Sequence, residues 1–139
     1  MLPTYQNTIS NKDVLSFEQC EMIYSEIIKG LNINDFDEIE YWQDFVLSCI
    51  EYTEIRSKWL LLNTSQKNEI DNKRTIIHDG LIIKLKIIKR LLKSKSIETA
   101  WFEDFKINSE LGDETSNLNR KQIGDLANYI VYLYAINGR

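Results

Sequence analysis

The sequence predicts an all-α protein, an antiparallel bundle of four main helices plus one short helix. Apolar residues recur three and four positions apart along most of the chain, which is the periodicity of amphipathic helices. No segment alternates between apolar and polar residues for long enough to predict a strand. The 139 residues include only one proline and five glycines, so little in the chain interrupts a helix. This length fits a single domain over residues 1–139.

The first predicted helix begins at about Asn11 or Ser16 and ends near Leu31. Ser16 and Gln19 form a capping-box pattern, in which each side chain accepts a hydrogen bond from the other residue's backbone N–H. The residues that follow form one apolar stripe, which we expect to face the core (Phe17, Cys20, Tyr24, Ile27, Ile28 and Leu31).

The second predicted helix runs from about Asp35 to Leu62, after a break in the stretch GLNIND. Asp35 followed by Glu38 marks its start, because acidic side chains satisfy the unpaired N–H groups of a first turn. Its predicted core face carries one residue of nearly every turn (Ile39, Trp42, Val46, Cys49, Thr53 and Leu60).

The third predicted helix runs to about Ser94, with Thr64 or Ser65 as its N-cap. Its predicted core face is defined by five aliphatic residues (Ile70, Ile77, Leu81, Ile88 and Leu92). Together with the two preceding helices, it accounts for most of the predicted core.

A short helix is predicted next, around four apolar residues (Ile97, Trp101, Phe102 and Phe105). The polar stretch 108–117 is predicted to be a flexible loop. The last helix is predicted from about Leu118 to Ile136, with a continuous core face (Ile123, Leu126, Ala127, Ile130, Leu133 and Tyr134).

Several functional classes are disfavoured by what the sequence lacks. Cys20 and Cys49 fall on predicted core faces and are expected to be reduced thiols, with a disulfide as the alternative only if the first two helices bring them together. One histidine with two distant cysteines matches no metal-ligand pattern. We expect no metal and no cofactor. The sequence contains no phosphate-binding loop, nucleophile elbow or paired-carboxylate motif and therefore does not indicate an enzyme.

No apolar run approaches the ~20 residues that span a bilayer, and the N-terminus lacks the pattern of a signal peptide. We therefore expect a cytoplasmic protein without membrane contact, and its many isoleucines, asparagines and lysines are typical of low-GC bacteria.

The candidate polar pocket consists of Arg56, Arg74 and His78. On helical wheels, both arginines fall on core faces, and His78 falls at the border of one. Arginines are rarely buried without a partner, so this pair needs a carboxylate, exposure at a helix end, or a bound anion. The same wheel predicts that Asp79 points to solvent and is not a partner of His78.

The stretch from Arg74 to His78 resembles the arginine-and-histidine signature of HEPN helical domains, many of which are ribonucleases in toxin systems. The resemblance covers one helix and two residue types. Three residues separate the arginine from the histidine here, where HEPN proteins usually place four to six. It implies an alternative function in which Arg74 and His78 act on RNA, with the histidine as acid or base.

The charge distribution favours a second form of this alternative. Residues 73–95 carry eight basic side chains and one acidic one, while the rest of the chain is acidic and the whole has a net charge of −4. A segment of this kind can bind the phosphates of nucleic acid. However, no aromatic residue interleaves with these cations to stack on bases, and cations near a helix C-terminus also complement its dipole.

The last helix predicts a surface for protein contact. Tyr129, Tyr132 and Ile136 lie away from its core face, so this helix is apolar on nearly all sides and lies either at the centre of the bundle or against a partner. Amphipathic tyrosines are common in protein interfaces. We therefore expect a small helical binding or regulatory protein that acts through protein contacts, with a second copy of the chain among the candidate partners. A phosphate- or nucleic-acid-directed protein that uses Arg56, Arg74 and His78 is the alternative.

Overall fold

The computed structural model describes residues 15–99, 101 and 120–139, and 83% of this part of the chain is helical, with no strand in it. The all-α prediction is therefore confirmed. Four helices pack against each other: α1 (Phe17–Gly30), α2 (Phe36–Trp59), α3 (Thr64–Ser94) and α4 (Arg120–Asn137). The predicted short helix and the loop at 108–117 lie largely or wholly outside the described residues, although Trp101 is described and is buried.

The start of α1 was predicted correctly. The Ser16 side chain accepts a hydrogen bond from the Gln19 N–H at 3.1 Å, and Gln19 Oε1 accepts from the Ser16 N–H at 2.9 Å. Asp35 caps α2 in the same way, since its carboxylate accepts from the N–H groups of Asp37 and Glu38. These caps depend on residues within one turn, which is why the sequence predicts them.

The predicted N-cap of α3 was wrong by one residue. Asn63 is the cap, and it forms a capping box with Gln66, while Thr64 is already helical. The predicted end of α2 at Leu62 was also too late, because the helix ends at Trp59 and continues as a turn closed by bonds from the N–H groups of Leu61 and Leu62. Leu60 was predicted to face the core, but it is the C-cap residue of α2, at the start of the turn that leads to α3, and is 82% exposed.

Contacts between α2 and α3 pair the beginning of one helix with the end of the other. Lys95 donates to Glu38, the Lys84 ammonium donates to the Ser48 hydroxyl at 2.7 Å, and the rings of Tyr52 and His78 meet 5.5 Å apart. The core runs along this pairing and continues between α1 and α4. Its fully buried aliphatic residues include Ile23, Ile27, Leu81, Ile82, Leu85, Ile88, Leu92, Ile123, Leu126 and Ile130.

Both cysteine side chains lie in this core, as predicted from the helical periodicity. Burial raises the pKa of the Cys20 thiol, with a smaller contribution from the Asp125 carboxylate. Burial likewise raises the pKa of Cys49, partly offset by the Lys84 ammonium. Among the described helices, none is both long and apolar enough to cross a membrane.

Candidate binding cleft at the α2–α3 turn

An open cleft of about 270 Å³ lies where the end of α2 meets the first turns of α3 and the middle of α4. Arg56 and Arg74 both line it, so the structure brings these two predicted site residues to one place. We refer to it as the arginine cleft. The other described residues that line the cleft are Ser57, Trp59, Leu60 and Asn128.

Arg56 is half-buried and lies across α4 at Gly124. A Cβ on Gly124 would overlap the end of the Arg56 side chain and would lie 2.7 Å from its Nε, so only glycine leaves room for it there. The guanidinium carbon also lies 5.9 Å from the centre of the Tyr52 ring. Within the described residues, no carboxylate forms an ion pair with Arg56. Among the described residues, its contacts are with Gly124 and the Tyr52 ring and not with a carboxylate.

Arg74 is held by an aromatic ring and by an acidic residue of its own helix. Its guanidinium carbon lies 3.7 Å from the centre of the Trp59 ring, which is a close cation–π contact. Its Nη2 donates to Asp71 Oδ1 at 2.9 Å, and the side chains of Arg74 and Asp71 are 23% and 55% exposed. Its Nε finds no acceptor among the described residues. Asp71 thus offsets part of the positive charge of Arg74. The Nε–H group of Arg74 donates to no oxygen atom of the described residues.

Trp59 contacts a second cation besides Arg74, because the Lys67 ammonium is 5.6 Å from its ring centre. The two residues after it, Leu60 and Leu61, are 82% and 86% exposed. The turn therefore presents two aliphatic side chains to solvent beside a half-buried indole and two guanidinium groups. Tryptophan and arginine are the residue types enriched at the centres of protein interfaces.

His78 is not among the residues that line the cleft. Its side chain is fully buried, in contact with the Tyr52 ring, although the wheel placed it only at the border of the core face. Its Nδ1 lies 3.1 Å from Asp79 Oδ1, so the prediction that these neighbours are not a pair was wrong. The Asp79 side chain leaves its helix towards solvent but folds back, and the wheel does not describe this bend.

The charges at the cleft suit the binding of an anion. Two guanidinium groups can hold a carboxylate or a phosphate through charge-assisted hydrogen bonds. The described lining includes no histidine, cysteine or carboxylate that would act as a general base or nucleophile. The described residues also contain no cluster of histidine, cysteine, aspartate or glutamate side chains that would hold a metal ion.

Sequence reasoning missed Gly124 and Trp59 as parts of the cleft. Gly124 carried a signal, since glycine in a helix interior costs about 1 kcal/mol relative to alanine and often marks a close approach. No such signal in the sequence indicated Trp59, because its position next to Arg74 depends on how two helices meet at a turn. Gly124 leaves room for the end of Arg56, and Trp59 contacts the guanidinium of Arg74.

The predicted contact surface on the last helix is partly occupied by α1. The Phe17 ring meets the rings of Tyr129 and Tyr132 edge to face, with centroids 5.3 Å and 5.9 Å apart. Tyr132 and Ile136 nevertheless remain 50% and 60% exposed. This surface stays a candidate interface, with Tyr129 contributing mainly to the packing between α1 and α4.

Comparison with protein-family models, with curated proteins and with solved structures gives no match to this chain.

Proposed function

We propose that this chain is a small cytoplasmic helical binding or regulatory protein that acts through contact with another protein, and that the arginine cleft is the contact surface. The observation that carries the proposal is the state of Arg56. Glycine at position 124 leaves room for its guanidinium, yet the described residues supply no carboxylate to pair with it. A half-buried cation of this kind is well placed to receive a carboxylate from a partner. We also propose that the four helices form an antiparallel bundle, with the cleft at one end.

The chemistry of the turn indicates which kind of partner would fit. The guanidinium groups favour an acidic side chain or a C-terminal carboxylate, and the exposed Leu60 and Leu61 favour aliphatic or aromatic side chains beside it. We therefore propose a partner segment in which an acidic residue lies within one or two positions of a large apolar residue. Trp59, stacked under Arg74, would contact both parts of such a segment.

The protein contains its own reporter for this binding. Trp42 and Trp101 are 3% and 2% exposed, whereas Trp59 is half-buried in the cleft, so changes in accessible tryptophan fluorescence report mainly on Trp59. A set of short capped peptides with an acidic residue next to leucine or phenylalanine would be titrated against the protein. Matched peptides would carry glutamine or asparagine at the acidic position.

We expect acidic–apolar peptides to change Trp59 fluorescence saturably, and the amide-substituted peptides to bind at least about tenfold more weakly, because a charged hydrogen bond contributes about 1.5–3 kcal/mol. Arg56→Gln should remove the preference for the acidic peptide. Lys58→Gln, which removes an exposed charge of the same helix outside the cleft, should leave it unchanged. The proposal fails if no peptide binds, or if Arg56→Gln binds as the native protein does.

The alternative, a phosphate- or nucleic-acid-directed protein, is favoured by the net charge of +7 over residues 73–95. Arg74 connects this segment to the cleft. Its ribonuclease form, implied by the resemblance to HEPN domains, requires RNA to reach His78, which is fully buried. Binding of a single-stranded RNA or duplex DNA oligonucleotide that weakens steeply with added salt would favour the alternative. Lack of binding at low salt would eliminate it.

A further inference from the structure

A second apolar stripe follows the outer face of α3, opposite the residues that this helix contributes to the core. Ile76 and Ile83 are 63% and 51% exposed, and Gly80 and Ile87 on the same face are partly exposed. We call these four residues the outer stripe. Ile76 and Ile83 are separated by two helical turns, so the stripe is continuous along the helix.

Glu69 and Arg90, which have opposite charges, flank the outer stripe at its two ends, and the exposed Lys73 lies one turn after Glu69 on the same side of the helix. Glu69 and Arg90 are both exposed, and each lies seven residues beyond an isoleucine of the stripe, so they share its face. Glu69 precedes Ile76 by the same distance at which Arg90 follows Ile83. The point on the helix between Asp79 and Gly80 is therefore the midpoint of Ile76 and Ile83 and also the midpoint of Glu69 and Arg90.

We propose that two copies of this protein form a dimer in which their α3 helices pack antiparallel along the outer stripe and cross at Gly80. Each Ile76 then packs against the partner's Ile83, and each Glu69 faces the partner's Arg90. A parallel pairing would place like charges opposite each other at both ends, which is unfavourable. A two-fold axis through the midpoint generates both contacts twice, as in an isologous dimer. This arrangement does not depend on the arginine cleft.

Gly80 supports the position of the crossing point. A Cβ added to Gly80 meets nothing within 4 Å, so the packing of the single chain does not require glycine there. Glycine at the crossing allows two helix backbones to approach closely. The neighbouring Asp79 carboxylate is bound to its own His78 at 3.1 Å, which keeps it beside its helix and away from the equivalent carboxylate of the partner.

The area of the proposed dimer interface determines the affinity that we expect for the dimer. From Glu69 to Arg90 the helix extends about 32 Å, so one pair of helices buries less than the ~1,600 Å² of a standard interface. We therefore expect a dimer that dissociates on dilution, with a Kd on the order of micromolar.

Single cysteines test the direction of the pairing. In the antiparallel dimer, the two Gly80→Cys side chains lie close to the axis, whereas two Glu69→Cys side chains lie about 30 Å apart. Both native thiols are buried, so the introduced cysteine is the accessible one. Under mild oxidation at a concentration above the Kd, we expect Gly80→Cys to form a disulfide-linked dimer at least about tenfold faster than Glu69→Cys. Equal rates would indicate a parallel or random encounter and would overturn the proposal.

Charge reversal tests the register without introducing a crosslink. Glu69→Arg or Arg90→Glu alone should weaken the dimer by on the order of tenfold, because each creates two like-charge contacts. The double reversal should restore most of the affinity, measured by analytical ultracentrifugation. Failure of this rescue would reject the pairing of Glu69 with Arg90.

Two further variants separate this surface from the one on α4. Ile83→Glu should weaken the dimer on the order of 100-fold while circular dichroism shows a folded helical protein, because it places a carboxylate in an apolar contact. Tyr132→Glu, which changes the exposed tyrosine of α4, should leave the dimer intact. A native protein that is monomeric at all concentrations, or a dimer abolished by Tyr132→Glu and retained in Ile83→Glu, would overturn the proposal.

Discussion

The guanidinium of Arg56 occupies the space into which a side chain at position 124 would project. A Cβ on Gly124 would overlap the end of Arg56 and lie 2.7 Å from its Nε. The placement of a cleft arginine on α2 is thus determined by the smallest residue of α4. Changing the glycine should therefore move the charge without removing it.

Gly124→Ala should lose peptide binding at the cleft while its free energy of unfolding stays within about 1 kcal/mol of the native value. The added methyl group displaces the flexible end of an arginine and not backbone, and alanine favours the helix by about 1 kcal/mol. Thermal or urea unfolding and the Trp59 titration would measure the two effects separately. A variant that binds normally would show that the position of Arg56 is unimportant.

Two other glycines serve as matched controls for this substitution. Gly80→Ala should raise the stability of the dilute protein by up to about 1 kcal/mol, since the added Cβ meets open space. Gly30→Ala should lower it by about 1–3 kcal/mol, because the added Cβ would overlap the fully buried Leu92 and lie 2.9 Å from Ile97 Cδ1.

Arg74→Met should cost only about 1 kcal/mol of folding stability. The ion pair with Asp71 is largely exposed, and the cation–π contact with Trp59 lies at an open cleft, so each contributes about 1 kcal/mol or less. Methionine also retains packing against the indole. Urea unfolding is the measurement, and a loss of 3–5 kcal/mol would instead make Arg74 a buried structural ion-pair residue.

His78→Ala should be costly, about 2–4 kcal/mol, because the ring is fully buried against Tyr52 and its removal leaves a cavity. His78→Phe refills the volume and should recover part of the loss, although Asp79 then loses its partner. Chemical denaturation of the two variants distinguishes packing from hydrogen bonding. A mild effect of His78→Ala would contradict the buried position of the ring.

Glu38 should make the stability of the protein depend on pH. The hydrogen bond from Lys95, followed by one from the Asn32 N–H at 3.0 Å, holds the pKa of Glu38 below its usual value of 4.5. A carboxylate with a lowered pKa stabilises the folded state above the unfolded pKa, and this contribution disappears as the pH falls through the folded pKa. Glu38→Gln should therefore be destabilising at pH 7, with a smaller difference at pH 3.

The Lys95→Met variant provides the control for this pH dependence. If the Lys95 hydrogen bond is the main cause, Glu38→Gln in the Lys95→Met background should have a reduced effect at pH 7. Urea unfolding of the four proteins at both pH values gives the coupling directly. An unchanged effect would assign the lowered pKa to the Asn32 N–H instead.

Some local features of the fold were predictable from the sequence, and others were missed for reasons that are also local. The capping box of Ser16 and Gln19 involves residues one turn apart, and the sequence predicts it. The start of α3 was displaced because Asn63, Thr64 and Ser65 are three adjacent residues that all make good caps. The pairing of His78 with Asp79 was missed because helical wheels describe the direction of Cβ and not the bend of the side chain beyond it.

The arginine cleft was predictable in part. Helical periodicity placed Arg56 and Arg74 on inward-facing sides of two helices joined by a short turn, which is enough to bring them near each other. It did not predict that Trp59 would cover one guanidinium, because α2 ends at Trp59 and the wheel cannot be continued through the turn. It also did not predict the contact with Gly124, which joins residues far apart in the chain.

The buried residues of α3 are unevenly distributed, and this affects how the helix opens. All six lie between His78 and Leu92, while residues 64–77 include no fully buried side chain. Backbone amides in those first turns should consequently exchange with deuterium sooner than those of residues 78–92, because fewer apolar contacts oppose local unfolding. Arg74 belongs to this less protected segment. A ligand that binds Arg74 should therefore stabilise residues 64–77 against local unfolding, and the amide exchange of these residues should become slower when the ligand is bound.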